Sequence, residues 1–295
     1  MRCSPAGAAT DHNAAALLIP PPPAGNHRPS WRHCDLTATT PTALAEAAAL
    51  LPSGPQLWLS FSHLWLLAPF LSTLADHHPE ALNGLRGIVA CSSSSVVTKR
   101  FAWNPYDRAL VKRLEGARLQ LEQACLGLGV PACILAPTMI HGHCGDTSDR
   151  NVEALRRILR RLPLLPLPRH TGLRQPIAAG DLVAVALDRL KRLGSEAGSD
   201  GAAEGLVCQL LLGGDEQLSY RALLERIQTI DPGAARCRLI PLPNRLFQAL
   251  AAPLLLMSPR HYEAVLRLSA DLAGFATVAD LLDRDARPFH PGPWL

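Results

Sequence analysis

The stretch from Gly87 to Gly142 limits the fold more tightly than any other part of the chain. Gly87-Ile88-Val89-Ala90-Cys91 is a short apolar run that ends in four serines, Ser92 to Ser95. Such a run, closed by small polar residues, reads as a strand buried on both faces. Beyond it Leu110, Leu114, Ala117, Leu121 and Ala124 recur at steps of four and three, which draws one apolar stripe along a helix. Gly127 and Gly129 stop that helix, and Ala132 to Leu135 is the next apolar strand. Two buried strands joined by an amphipathic helix require a parallel crossover. The stretch therefore predicts an α/β fold with a doubly wound parallel sheet, and the changed pattern past Gly142 predicts a small mixed C-terminal lobe.

The same alternation extends in both directions. Trp31 to Leu36 reads as a short strand carrying Asp35 near its end, and Thr40 as the N-cap of a helix with Pro41 at N1 and Leu44, Ala48 and Leu51 inside. Leu57 to Phe61 is a strand, and Leu71 to Leu82 a helix interrupted at Pro79. Past Gly142, Val152, Leu155, Leu159 and Leu162 mark a helix whose other side, Arg156, Arg157, Arg160 and Arg161, reads as a solvated face. Pro163, Pro166 and Pro168 end it. Asp181 to Leu193 is helical, 194–205 is a polar connector, Val207 to Leu212 is a strand, Ser219 caps a helix from Tyr220 to Thr229, and Cys237 to Leu242 is a strand. Roughly the last forty residues read as mostly helical. Residues 1–30 form an Ala/Pro-rich head in which Pro20 to Pro23 exclude a helix interior or a central strand, and no glycine turn for a dinucleotide occurs there. The expected organisation is this head, an incomplete Rossmann-like domain over 31–165, and the remaining sheet segments and substrate lobe over 166–295.

Composition excludes several classes. Hydrophobic residues at 48% and charged residues at 18% suit a globular core rather than a disordered chain. A net charge of +4 with aromatics at only 5% allows an anionic small molecule and argues against nucleic acid as a partner. The 8 cysteines include no CxxC pair and read as small buried residues in a reducing compartment. Apolar runs from Leu57 to Ala75 and Leu246 to Met257 are broken or too short to span a bilayer, and the first residues lack the pattern of a secretion signal, so a cytoplasmic location is expected. His141, His143, Cys144 and Asp146 are metal-ligand types at the spacing of no standard site, and no metal is expected.

The quoted phrases resemble the extended and atypical short-chain dehydrogenase/reductases, the NAD(P)-dependent epimerase/dehydratase group. Cys91 to Val97 resembles that family's strand running into serines before Val-Tyr-Gly, and Ala136 to Gly142 its Arg-Pro-Thr-x-Ile-Tyr-Gly turn, with Ala136 and His141 as departures. Arg174-Gln175-Pro176-Ile177 followed by Asp181-Leu182 is similar to its substrate-lobe signature, and Asp35-Leu36 to the Asp-Leu that meets the adenine. The likeness runs from about Trp31 to Leu250. It implies NAD or NADP as cofactor, a nucleotide sugar or similar small substrate, and a monomer or homodimer. It implies cofactor contacts at Asp35, Leu36, Ser62, His63, Pro137 and Thr138, with Ser93 holding the substrate oxygen, Ser94 beside it, and Arg174 on the nucleotide diphosphate.

The family's acid/base pair is a tyrosine with a lysine one helical turn later. Alignment on Leu114-Glu115-Gly116 puts Ala109 and Arg113 at those two positions. Tyr106 is the one tyrosine nearby and so the remaining candidate acid, but Leu110 stands four residues on. Lys112 lies six residues away, about 600° around a helix, and faces elsewhere. Arg113 could hold a ribose or phosphate, although its fixed, delocalised charge suits it poorly to tuning a phenol. The expected function is an atypical NAD(P)-dependent epimerase or oxidoreductase. The alternatives are a non-catalytic relative that binds a nucleotide or a partner, and an N-terminally truncated product whose first strand and glycine turn lie upstream of Met1.

Overall fold

The computed structural model describes residues 32–144, 147–196 and 206–292. The Ala/Pro-rich head and most of the 194–205 connector lie outside them. Helix α1 (Pro41–Ala49) starts as expected, with the Thr40 hydroxyl accepting from the Ala43 N–H at 3.3 Å and Pro41 in its first turn. Strand β1 (Gln56–Ser60), helix α2 (Leu64–His77), strand β2 (Leu85–Cys91), helix α3 (Pro105–Leu128) and strand β3 (Ala132–Pro137) follow. After them come α4 (Arg150–Arg161), β4 (Leu164–Pro168), α5 (Ala179–Glu196), β5 (Val207–Leu212), α6 (Tyr220–Ile230), β6 (Arg238–Leu242), α7 (Asn244–Ala251) and α8 (Pro259–Leu266).

The central sheet has the order β1-β2-β3-β5, parallel throughout. Successive residues point to opposite faces, and the two cores follow that alternation. Ile88 and Ile134 join Phe70, Leu71 and Leu121 under α2 and α3, while Val89, Cys133 and Leu135 join Val185 and Ala186 under α5. Gly87 is needed for this layering, because a Cβ there would stand 2.9 Å from the Leu193 Cβ of α5. A third cluster, centred on Val152, Leu159, Leu167, Leu223 and Ile227, forms the lobe around α4 and α6. The fold is thus a Rossmann-like α/β sheet covered on both faces, as the Gly87–Gly142 pattern predicts.

Several local expectations need correction. Residues 32–35 form no strand. The Asp35 carboxylate accepts from the Thr37 N–H at 2.8 Å and the Thr37 hydroxyl at 2.7 Å, and this tight turn sends Leu36 into the core. Helix α2 begins at Leu64 rather than near Leu71 and carries Pro69 inside it. Packing of Leu64, Leu67, Leu71 and Leu74 outweighs the bond lost at the proline. Pro166 and Pro168 do not simply end a helix. They sit in β4, which among the described residues pairs with β6 alone, and a two-stranded ribbon leaves a free side for residues lacking an N–H. The Arg side of α4 is not merely solvated: Arg160 pairs with Asp231 at 2.8 Å and Arg156 donates to the Pro291 carbonyl at 2.6 Å. Among the described residues the chain after Leu266 is mostly irregular, with a 3-10 turn at Arg267–Ser269 and a short α-helix at Val278–Leu282.

That irregular strap is held by two adjacent residues of the lobe signature. Gln175, 1% exposed, donates to the Gly214 and Phe275 carbonyls and accepts from the Gly274 and Phe275 N–H groups. Arg174 donates to the carbonyls of Leu173, Ala270 and Arg267 at 2.6 to 2.7 Å and lies over the Tyr220 ring.

Candidate functional site

In open α/β sheets ligands bind beyond the carboxyl ends of the strands. Here that edge is built from the turns after β1, β2 and β3. After β1, the Ser60 and Ser62 hydroxyls lie 2.7 Å apart. His63 follows at the N-cap of α2 and makes no side-chain capping bond. Its ring stacks on Trp65 at 4.3 Å, with 14° between the planes. From α3, the Arg113 guanidinium lies over the same indole at 4.7 Å. Arg113 is exposed and forms no ion pair among the described residues. One cation, one indole and one imidazole thus form a column at the positive end of α2, beside two hydroxyls. The arrangement suits an anion, and the flat rings suit a base or nicotinamide ring.

The serine run lies on the adjoining strand. Ser60 pairs with Ala90 in the register of β1 and β2, so Ser92 to Ser94 leave the sheet one strand spacing away, about 4.8 Å. Its backbone is tied to β3 through Ser92 N–H to the Leu135 carbonyl (2.7 Å) and Ser94 N–H to the Pro137 carbonyl (3.0 Å). Ser94 is buried. Ser93 is half-buried, and its hydroxyl accepts from the Ser95 N–H at 3.2 Å and donates to the Ser95 hydroxyl at 3.0 Å. Pro137 is buried, and Thr138 bonds the Gln175 carbonyl through its hydroxyl and the Leu212 carbonyl through its N–H. Both residues fix the floor of the edge.

The remaining expected site residues lie apart. Tyr106, 59% exposed, stands in the first turn of α3 with the Arg260 guanidinium 4.1 Å over its ring, facing the lobe. Arg174 spends its donors on backbone carbonyls, which makes it a structural brace. Asp35 sits in its own turn and Leu36 in the core, so neither stands at a strand end.

Two features of this region carry weak sequence signals. Trp65 and Ser60 complete the column and the hydroxyl pair, and they belong to the run Ser60-Phe61-Ser62-His63-Leu64-Trp65 directly after a strand. The other is a buried network at the start of α3. Asp107 is fully buried between Lys99 (2.9 Å), Arg267 (3.0 Å) and the Asn104 amide (3.0 Å), and Glu263 binds Asn104 from the far side. Burial pushes the Asp107 pKa up, but the bonds from Asn104 and Lys99 and the charges of Lys99 and Arg267 outweigh it, holding the carboxyl below the usual range. This network joins the sheet domain to the lobe.

The residues fit part of a dinucleotide. The column offers stacking surface and one cation, but the turn from β1 to α2, Phe61-Ser62-His63, holds no glycine to bring the backbone onto a pyrophosphate. No family profile and no curated protein matches the chain. Among solved structures it is similar to gox2253, at 16% identity and a TM-score of 0.52 over 86% of this chain and 79% of that one. It also aligns with a UDP-N-acetylglucosamine 4-epimerase from Bacillus cereus (13% identity, TM-score 0.42, 59% and 58% of the two chains). A third alignment is with a GDP-mannoheptose C4 reductase from Campylobacter jejuni (13%, 0.44, 61% and 63%). The match spans less than two thirds of the last two proteins. The likeness to gox2253 is one of fold.

Proposed function

We propose that this chain is an NAD(P)-dependent epimerase/reductase-like protein that binds a nucleotide ligand, NAD(P) or a nucleotide sugar, at the carboxyl edge of β1 and β2. The observation that carries this reading is Arg113, an exposed cation without an ion pair among the described residues, held over Trp65 at the N-terminus of α2. The epimerase and reductase among its structural neighbours agree with it only in fold. In this reading Arg113 and the Ser60–Ser62 pair hold a phosphate, His63 and Trp65 take a ring, and Ser93 holds the substrate oxygen. No residue here takes the part of the tyrosine–lysine pair. None of the 3 tyrosines, Tyr106, Tyr220 and Tyr262, has a lysine four residues on. That favours a second reading, a nucleotide-binding relative without the usual redox chemistry.

Titration of the full chain with NADH, NADPH and UDP-glucose, followed by tryptophan fluorescence or calorimetry, tests both readings. Saturable binding of any of the three below about 1 mM is expected. Its absence for all three rejects the nucleotide site. Where turnover of a nucleotide sugar is found, Ser93→Ala should abolish it and leave nucleotide affinity within about twofold. Unchanged turnover removes Ser93 from its role, and binding without turnover selects the second reading.

A further inference from the structure

The face opposite the lobe core of α8 is unlike the rest of the surface. Phe101 is 88% exposed, Trp103 84% and Leu256 91%. Phe101 and Trp103 come from the loop after the serine run, and Leu256 from the short helix Pro253–Met257. The two segments meet: Phe101, Trp103, Leu255, Pro259 and Tyr262 line one groove of about 750 Å³. Arg100 lies 5.6 Å from the Phe101 ring centre and Arg260 4.1 Å from that of Tyr106, so cations flank the aromatic tips.

Charge sharpens the picture. The segments that carry these tips, 99–106 and 253–262, contain no Asp or Glu and carry Lys99, Arg100 and Arg260, of which Lys99 is paired with Asp107. The acids that close these two stretches, Asp107 and Glu263, are turned inward, onto Lys99, Arg267 and Asn104. The charges shown beside the exposed aromatic rings, Arg100 and Arg260, are therefore of one sign. A protein interface is also rich in aromatics and Arg, but sets them against complementary charge of the opposite sign. Protruding Phe, Trp and Leu side chains flanked by the two arginines instead match the boundary of an anionic bilayer, where rings enter the headgroup layer and guanidinium groups meet phosphates.

We propose that this face, Phe101 to Tyr106 with Leu255 to Arg260, docks on an anionic phospholipid surface as a peripheral contact. The inference does not rest on nucleotide binding.

The test is co-sedimentation of the full chain with phosphatidylcholine vesicles, with and without phosphatidylglycerol, at about 0.1 M salt. Binding to the anionic vesicles is expected, weak or absent on phosphatidylcholine alone and reduced by added salt. Phe101→Ser with Trp103→Ser should lower the partition coefficient at least about tenfold. Arg100→Glu with Arg260→Glu should lower it at least about thirtyfold, because each basic residue lost near an anionic leaflet removes roughly a fivefold factor and each new carboxylate adds repulsion. Circular dichroism checks that the variants stay folded. If the aromatic variant unfolds, the charge-reversal variant decides alone. No binding of the unaltered chain to anionic vesicles overturns the proposal, as does equal binding by the folded variants. A dimer in light scattering that Trp103→Ser dissolves, in a chain that ignores vesicles, assigns the face to a second copy instead.

Discussion

Helix α3 carries two polar clusters six residues apart, and they are built on opposite plans. At its start Asp107 is fully buried, and Lys99, Arg267 and Asn104 all close on it. Further along, Arg113 is exposed, bound to nothing charged among the described residues, and merely propped over an indole. The first cluster has spent its hydrogen-bonding capacity inside the protein and joins two parts of the fold. The second keeps its donors for something else. Charged residues on one helix thus divide into structural and available groups by what surrounds them, not by residue type.

The largest predicted effect breaks the first cluster. Asp107→Ala leaves Lys99 and Arg267 without their shared carboxylate and should cost roughly 3–5 kcal/mol in denaturant unfolding. A loss under about 1 kcal/mol would mean that the network does not join sheet and lobe.

The next effect comes from pH. His141 is buried against Phe289, and burial lowers its pKa to about 4, with Asp149 pulling upward and His290 downward. The unfolded chain binds this proton near pH 6.5, so between about pH 6.5 and 4 the unfolded state holds more protons and stability falls as pH falls. That group alone contributes up to roughly 3 kcal/mol over the window. Asp107 acts in the same direction at lower pH, because its depressed pKa gives stability that is lost as its carboxyl protonates. A melting temperature that stays flat from pH 7 to pH 4 would contradict the His141 assignment.

The smallest effect belongs to Tyr106. Its ring faces Arg260 and the lobe, so Tyr106→Phe should change stability and nucleotide affinity by less than about 0.5 kcal/mol. Loss of turnover in that variant would restore Tyr106 as the acid and move the working site toward the lobe.

Much of this fold was legible because its signals are local. The β2–α3–β3 crossover follows from counting apolar residues, and the caps at Thr40 and Ser219 stand where the sequence puts them. What escaped depends on distant partners. Residues 32–36 have the composition of a strand, but the turn at Asp35 buries Leu36 instead. Helix α2 starts at Leu64 rather than near Leu71 because packing on both sides of Pro69 carries the helix through it. Arg174 reads as a diphosphate ligand in sequence, and only the strap that crosses it, Arg267 to Ala270, shows where its donors go. The candidate site was half legible: Ser62, His63 and Arg113 were singled out separately, but Trp65, which binds two of them into one column, gave no signal beyond its place after a strand.

The contrast between the two clusters is tested most directly by comparing neighbours on α3. Arg113 lies over Trp65, while Lys112, one residue earlier and also exposed, does not. Nucleotide affinity of the full chain should fall at least about tenfold, near 1.4 kcal/mol, in Arg113→Ala and stay within about twofold in Lys112→Ala, with both proteins unfolding at the same denaturant concentration. Equal affinities in the two variants, or an Arg113→Ala protein that loses stability instead of binding, would contradict the account.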